Sequence, residues 1–151
     1  MTPFDTLDAL ETTLNPTPRF PVELPDGRKD WAEIDRQATL LGLMRTGGFK
    51  GLVFAIPNAG KRNPRLAKKE GIMGGVFDLQ AWWTGGFASP EMKGYGKSGR
   101  AGSLSKPQIE WGNRMHDMGW PVACFFDPYN AYDWLRSVGA PLRHIQHGER
   151  K

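Results

Sequence analysis

The fold is decided by the stretch VFDLQAWWTGGFASPEMK, residues 76–93. Its two halves, Val76–Trp83 and Phe87–Lys93, are rich in apolar and aromatic residues and flank the turn Thr84-Gly85-Gly86. A short glycine turn between two such segments is typical of a β-hairpin. We therefore predict two antiparallel strands that form the centre of the fold.

Three charged residues lie toward the outer ends of this hairpin: Asp78, Glu91 and Lys93. Side chains alternate along a strand, so Glu91 and Lys93 share one face, and pairing with the first strand brings Asp78 beside them. Two facing carboxylates are unfavourable unless a proton or a divalent cation neutralises them. Each residue alone is more often a turn residue or half of a surface salt pair. Together they predict a metal site suited to hydrolysing phosphodiesters.

Outside the hairpin, apolar spacing and capping residues predict further elements. The first is a helix beginning after Asp30, its cap, with Trp31, Ile34, Ala38 and Leu41 inward and Gly47 at its end. A buried strand at Leu52–Ile56 and a short basic helix between Asn63 and Gly71 precede the hairpin. After it come a helix capped by Ser105 with Ile109, Met115 and Met118 buried, a strand at Pro121–Phe126 and a helix at Ala131–Val138. This order predicts an α/β fold with a mixed β-sheet flanked by helices.

The chain divides into three regions by composition. Residues 1–30 predict an irregular, acidic, proline-rich arm with a short helix near Phe4–Leu14, residues 31–140 the folded domain, and residues 141–151 a polar tail. No stretch approaches a membrane span and no secretory signal begins the chain, so we expect a cytoplasmic protein. The single cysteine, Cys124, has apolar neighbours that predict a buried thiol.

Charge is distributed unevenly. Residues 1–35 contain 3 Lys and Arg against 8 Asp and Glu, whereas residues 36–151 contain 17 against 8, a net charge of +9. The candidate nucleic-acid-binding residues are Lys61, Arg62, Arg65, Lys68, Lys97, Arg100 and Lys106. Such clusters suit a polyanionic partner, although charge runs are also common on solvated surfaces.

Residues 31–138 resemble a VRR-NUC domain, a branch of the PD-(D/E)XK nuclease superfamily. The phrases that carry the resemblance are Ile56-Pro57-Asn58-Ala59-Gly60-Lys61-Arg62, Gly74-Gly75-Val76-Phe77-Asp78-Leu79, Glu91-Met92-Lys93, Leu104-Ser105-Lys106-Pro107-Gln108 and Met118-Gly119-Trp120-Pro121-Val122. Their order and spacing agree with the family. The resemblance departs from the family pattern at Gly74, Phe77 and Pro90; Pro90 removes one ladder hydrogen bond and predicts an edge or bulge.

The resemblance implies a restriction-endonuclease-like core and a role for each site residue. Asp78 and Glu91 would bind Mg²⁺ or Mn²⁺, and the Met92 carbonyl would add a ligand. Lys93 would be the catalytic lysine, assisted by Gln108. In the same way, Glu33 of the phrase Glu33-Ile34-Asp35-Arg36-Gln37 would be a further metal ligand on the first helix.

The function that follows is a divalent-metal-dependent DNA endonuclease. Small phage-type relatives are expected to act as homodimers on branched DNA such as four-way junctions or flaps, through contacts to the DNA backbone. Two alternatives stay open. In the first, the chain is a nucleic-acid-binding module that keeps the nuclease fold without turnover. In the second, it is a nuclease that acts on RNA or on DNA ends.

Overall fold

The structure, a computed structural model, describes residues 16–57 and 64–146. In chain order the elements are α1 (Glu33–Thr46), β1 (Leu52–Ala55), α2 (Pro64–Glu70), β2 (Leu79–Trp83), β3 (Gly86–Met92), α3 (Lys106–Asp117), β4 (Val122–Phe125) and α4 (Pro128–Ser137). This order of helices and strands confirms the predicted one. The predicted helix at Phe4–Leu14 lies outside the described residues.

The four strands form one mixed sheet in the order β1-β2-β3-β4. The first three are antiparallel neighbours, and β3 pairs with β4 in parallel. The predicted hairpin is confirmed, with Gly85 at a φ of 83° in its turn, where glycine avoids the strain that a side chain would cause. An α/β fold with a mixed sheet flanked by helices is therefore confirmed.

The sheet has a separate apolar core on each face. Helices α1 and α4 cover one face, where Leu40, Leu79 and Tyr132 are fully buried. Phe20 and Phe77 belong to the core on the other face, under α3. Because side chains alternate along β3, Met92 enters the first core while Glu91 faces the second side of the sheet.

Part of the acidic arm is built into this fold. Pro21–Glu23 runs beside β4, where the Cys124 N–H donates to the Pro21 carbonyl (3.0 Å) and the Glu23 N–H donates to the Cys124 carbonyl (2.9 Å). Burial raises the pKa of the Cys124 thiol to about 12, in agreement with the predicted buried cysteine. The arm therefore protects an edge of the sheet that would otherwise be open.

A fully buried guanidinium, that of Arg36, joins the arm to α1. Arg36 donates to both carboxylate oxygens of Asp26 (2.7 and 3.2 Å) and to the carbonyls of Arg28 (2.7 Å), Trp31 (2.8 Å) and Phe126 (2.8 Å). Its charge is thus removed from water but fully hydrogen-bonded, which is the condition under which a buried arginine is tolerated.

The expected inward face and the expected N-cap of α1 are both wrong. The inward face carries Arg36, Leu40 and Met44, whereas Ile34 (68% exposed) and Ala38 are exposed, because the helix packs through a face that includes the buried arginine. The residue before α1 that acts as N-cap is Ala32, not Asp30.

The other corrections concern exposure. Strand β1 was predicted to be buried, yet three of its four residues are exposed, since β1 is at the edge of the sheet. Met118 is 65% exposed because it follows the last turn of α3. Across residues 16–57 and 64–146, no helix has both the length and the apolar character needed to cross a lipid bilayer.

Candidate active site

The predicted site residues meet in one cleft of about 720 Å³. Its lining includes Glu33, Asp78, Glu91, Lys93 and Gln108. Glu33 starts α1 and Asp78 precedes β2. Glu91 is near the end of β3, Lys93 follows that strand, and Gln108 is in the first turn of α3. The structure therefore brings together side chains that are up to 75 positions apart in sequence.

The cleft opens where β2 and β3 separate. Their paired residues end at Ala81 and Ala88, and farther along β3 Pro90 has no N–H to donate. The Ser89 hydroxyl donates to the Leu79 carbonyl instead (2.6 Å). The pairing of β2 with β3 therefore stops before Pro90, although β3 is an interior strand with β4 on its other side.

Glu91 lies on β3 just beyond Pro90 and is 1% exposed. Its Oε2 accepts from the Asp78 N–H (2.8 Å) and its Oε1 accepts from Gln108 Nε2 (3.0 Å), with Lys93 Nζ at 3.4 Å. Burial, and then the charge of Asp78, raise the pKa of Glu91 to about 7 against the lowering effect of the Asp78 N–H and Lys93. Glu91 is thus a buried carboxylate whose charged form is costly near neutral pH.

Gln108 links Glu91 to Lys93. Its Oε1 accepts from Lys93 Nζ (3.1 Å) and from the Ser105 N–H (3.0 Å), while the Ser105 hydroxyl accepts from the Gln108 N–H (3.3 Å). The reciprocal pair with Ser105 is a capping box that starts α3. The same amide therefore caps a helix and fixes the positions of both Glu91 and Lys93.

Two glycines allow the helices to approach this closely. A Cβ on Gly75, whose φ is +81°, would lie 2.2 Å from the backbone of Pro107, so α3 could not begin where it does. A Cβ on Gly94 would lie 2.5 Å from the backbone nitrogen of Glu33 at the start of α1. Close backbone contact is the physical reason for glycine at both positions.

Among the described residues that line the cleft, negative charge exceeds positive charge. Burial raises the pKa of Asp78, and burial followed by the charge of Asp78 raises the pKa of Glu33, while Lys93 opposes both shifts. Among the titratable side chains that line the cleft, three carboxylates face one ammonium. Such an arrangement attracts a further cation.

The Met92 carbonyl points toward the gap between β2 and β3. Because the Ser89 and Lys93 N–H groups donate toward β4, to Pro121 (3.0 Å) and Phe125 (2.8 Å), the Met92 carbonyl is directed to the opposite side. This is the side from which β2 has separated. The predicted backbone ligand is thus directed to this side of β3, but Met92 is not among the residues that line the cleft.

A hard divalent cation fits these oxygen donors by its chemistry. Mg²⁺ requires only one or two protein carboxylates when water and phosphate complete its shell. Within the described part of the chain, however, no group of three or more His, Cys, Asp or Glu side chains is arranged to hold a metal ion. The residues to consider as ligands are Asp78 and Glu91, with Glu33 near them.

None of the candidate nucleic-acid-binding residues that the structure describes lines the cleft, and Lys61 and Arg62 lie outside the described residues. Helix α2, which contains Arg65 and Lys68, contributes Ala67 to the lining, and Lys106 begins α3 with Glu110 at 3.9 Å. Lys97 and Arg100 lie in a turn described below.

Sequence reasoning missed Arg36 as a structural residue and Ser103 as a lining residue. No local pattern distinguishes Arg36 from an exposed helical arginine, since its partners come from the arm and from Phe126.

Searches against protein-family models, curated protein sequences and solved structures found no match to this chain. Support for a function therefore comes from the residues and their arrangement.

Proposed function

We propose that this chain is a divalent-metal-dependent DNA endonuclease with a restriction-endonuclease-like core of the VRR-NUC type. One observation carries the proposal: Asp78, Glu91, Lys93 and Gln108 converge in a single cleft through direct hydrogen bonds and one ion pair. A carboxylate pair next to an ordered lysine suits phosphodiester hydrolysis, where negative charge develops on phosphoryl oxygens.

Each side chain has a distinct part in this proposal. Asp78 and Glu91 would hold Mg²⁺ or Mn²⁺, which when bound supplies Lewis-acid polarisation and lowers the pKa of water. Lys93 is directed by Gln108 and Glu91, so its ammonium can orient a water molecule or donate to a phosphoryl oxygen. Gln108 acts through these two residues and is a positioning residue.

Metal binding is expected to depend on pH. The folded, metal-free protein keeps a proton on Glu91 up to about pH 7, whereas the unfolded chain releases it near 4.5. The folded state binds more protons in this window, so this contribution to stability is lost as pH rises through about 7. Cation binding favours the deprotonated carboxylate and should offset that loss.

The measurement is thermal unfolding with Mg²⁺ or Mn²⁺ and with chelator, from about pH 5 to about pH 9. We expect the metal to raise the melting temperature little at the acidic end and increasingly through neutral pH. The Asp78→Asn variant should lose this difference. A difference that is independent of pH, or that survives in Asp78→Asn, would contradict the assigned ligands.

Glu33 is expected to contribute less than Asp78. It reaches the cleft from the first turn of α1 and makes no hydrogen bond to Glu91, whereas Asp78 does through its N–H. We expect Glu33→Gln to increase the metal concentration needed for half-maximal cleavage by roughly ten- to a hundredfold, the size of effect typical of a supporting group. Asp35→Gln, at another acidic position in the first turn, is the control. An unchanged requirement would remove Glu33 from the ligand set.

The substrate is proposed to be branched DNA, held through its backbone. A panel of single-stranded, duplex, flapped and four-way-junction DNA, with matched RNA, separates the alternatives when run with metal and with chelator. Salt-sensitive binding without cleavage of any member would favour a binding module. Homodimerisation of the 16.9 kDa chain stays a prediction.

A further inference from the structure

Two turns from distant parts of the chain meet beside the cleft. The first covers residues 26–31, where the arm joins the folded domain, and the second, residues 95–101, is closed by a bridge between Tyr95 and Ala101. The Gly27 N–H donates to the Tyr95 hydroxyl (2.8 Å), and a Cβ on Gly99 would be 3.7 Å from Lys29 Cδ. The arm and the glycine-rich segment therefore present one continuous surface.

Four exposed cations lie in these two turns. Arg28 stacks on the Trp31 ring (4.4 Å), and the other three are Lys29, Lys97 and Arg100. We call Lys29, Lys97 and Arg100 the basic ridge. None of them has an ion pair with a carboxylate among residues 16–57 and 64–146. Their charges are thus available to an external anion, and several cations on one surface suit a polyanion.

The basic ridge is connected to the cleft by short, rigid stretches of chain. Two residues beyond Ala101, Ser103 lines the cleft, and two residues beyond Trp31, Glu33 does so. The Gly102 N–H donates to the Gly94 carbonyl (2.7 Å), next to Lys93. On the arm side, Arg36 holds the carbonyls of Arg28 and Trp31 from within the protein. An anion bound on the ridge would therefore have a fixed position relative to Lys93.

We propose that the basic ridge binds the phosphate backbone of duplex DNA that leaves the cleft. This inference rests on the proposed function for the identity of the polyanion. It assigns a substrate-holding role to Lys29, a residue of the arm that is acidic overall. The ridge contacts phosphates and makes no selection among bases, since lysine and arginine on an open surface add affinity through counterion release.

The test compares the native chain with Lys29→Gln/Lys97→Gln/Arg100→Gln. Binding of a fluorescent DNA duplex is measured by anisotropy in chelator, where cleavage is suppressed, over a range of salt concentrations. Each lost phosphate contact lowers the slope of log K against log salt by about 0.9, so the slope should fall by about 2–3. A duplex RNA of the same length shows whether the effect is specific to DNA.

The control variant Arg45→Gln/Lys50→Gln/Arg114→Gln removes the same charge from exposed positions that do not line the cleft. It should leave the slope within about 1 of the native value. An unchanged slope in the ridge variant, or an equal fall in the control, overturns the DNA-binding role of the ridge even when the native chain cleaves DNA. DNA binding that depends on the ridge, without cleavage, supports this role and refutes the proposed nuclease activity. No DNA binding by the native chain refutes both proposals.

Discussion

Replacing Lys93 with alanine is expected to reduce metal-dependent DNA cleavage by about a hundred- to a thousandfold. This is the usual loss when one group that stabilises developing negative charge is removed from an active site. Lys93 Nζ is 3.1 Å from Gln108 Oε1 and 3.4 Å from Glu91 Oε1, so the lysine is already oriented toward the cleft. The measurement is the single-turnover rate at saturating metal.

Two variants separate a catalytic role from a structural one. Lys93→Met keeps most of the side-chain volume and removes the charge, so it should lose activity like Lys93→Ala with less disturbance of packing. Lys50→Ala removes an exposed lysine beyond the far end of α1 and should keep the native rate. Native rates in both Lys93 variants, with folded protein verified by circular dichroism, would show that Lys93 takes no part in cleavage.

Replacing Arg36 with methionine is expected to destabilise the protein by about 3–5 kcal/mol. The side chain is fully buried, and its loss leaves Asp26 without its ion pair and three backbone carbonyls without their donor. A loss of this size is a large fraction of the stability of an ordinary domain. Denaturant unfolding measures it directly.

Arg45→Met is the matched control, since Arg45 is exposed in the last turn of the same helix. Its cost should be below about 1 kcal/mol, as for most surface substitutions. If the two variants unfold at the same denaturant concentration, the arm is not held by Arg36. The ridge would then lack the rigid connection to the cleft that the structure indicates.

The hairpin shows what could be predicted of the fold. Its turn glycines and its aromatic, apolar strands are local signals, and the structure has the hairpin where the sequence places it. The inward face of α1 could not be predicted in the same way. Apolar spacing selects Ile34, yet the helix packs through Arg36, whose burial depends on carbonyls and a carboxylate supplied by the arm and by β4's end.

The sequence predicts which residues form the candidate site better than it predicts how they are arranged in space. Alternation along β3 places Glu91 and Lys93 on one face, and the family resemblance adds Gln108 beside them. In the structure Gln108 makes hydrogen bonds to both. The end of the β2–β3 pairing and the meeting of Lys29 with Lys97 and Arg100 depend on contacts between distant segments. The sequence marks only parts of them: the missing N–H of Pro90, and the basic, glycine-rich surroundings of Lys97 and Arg100.

The most direct test of the central claim is hydrolysis of a four-way DNA junction by the native chain and by Asp78→Asn, each with Mg²⁺ or Mn²⁺ and with chelator. We predict cleavage by the native chain only when metal is present, and a loss of about a thousandfold in Asp78→Asn, whose side chain can no longer offer a carboxylate to the cation. Cleavage by Asp78→Asn at the native rate, or no cleavage of any DNA form by the native chain with either metal, would contradict the proposed function.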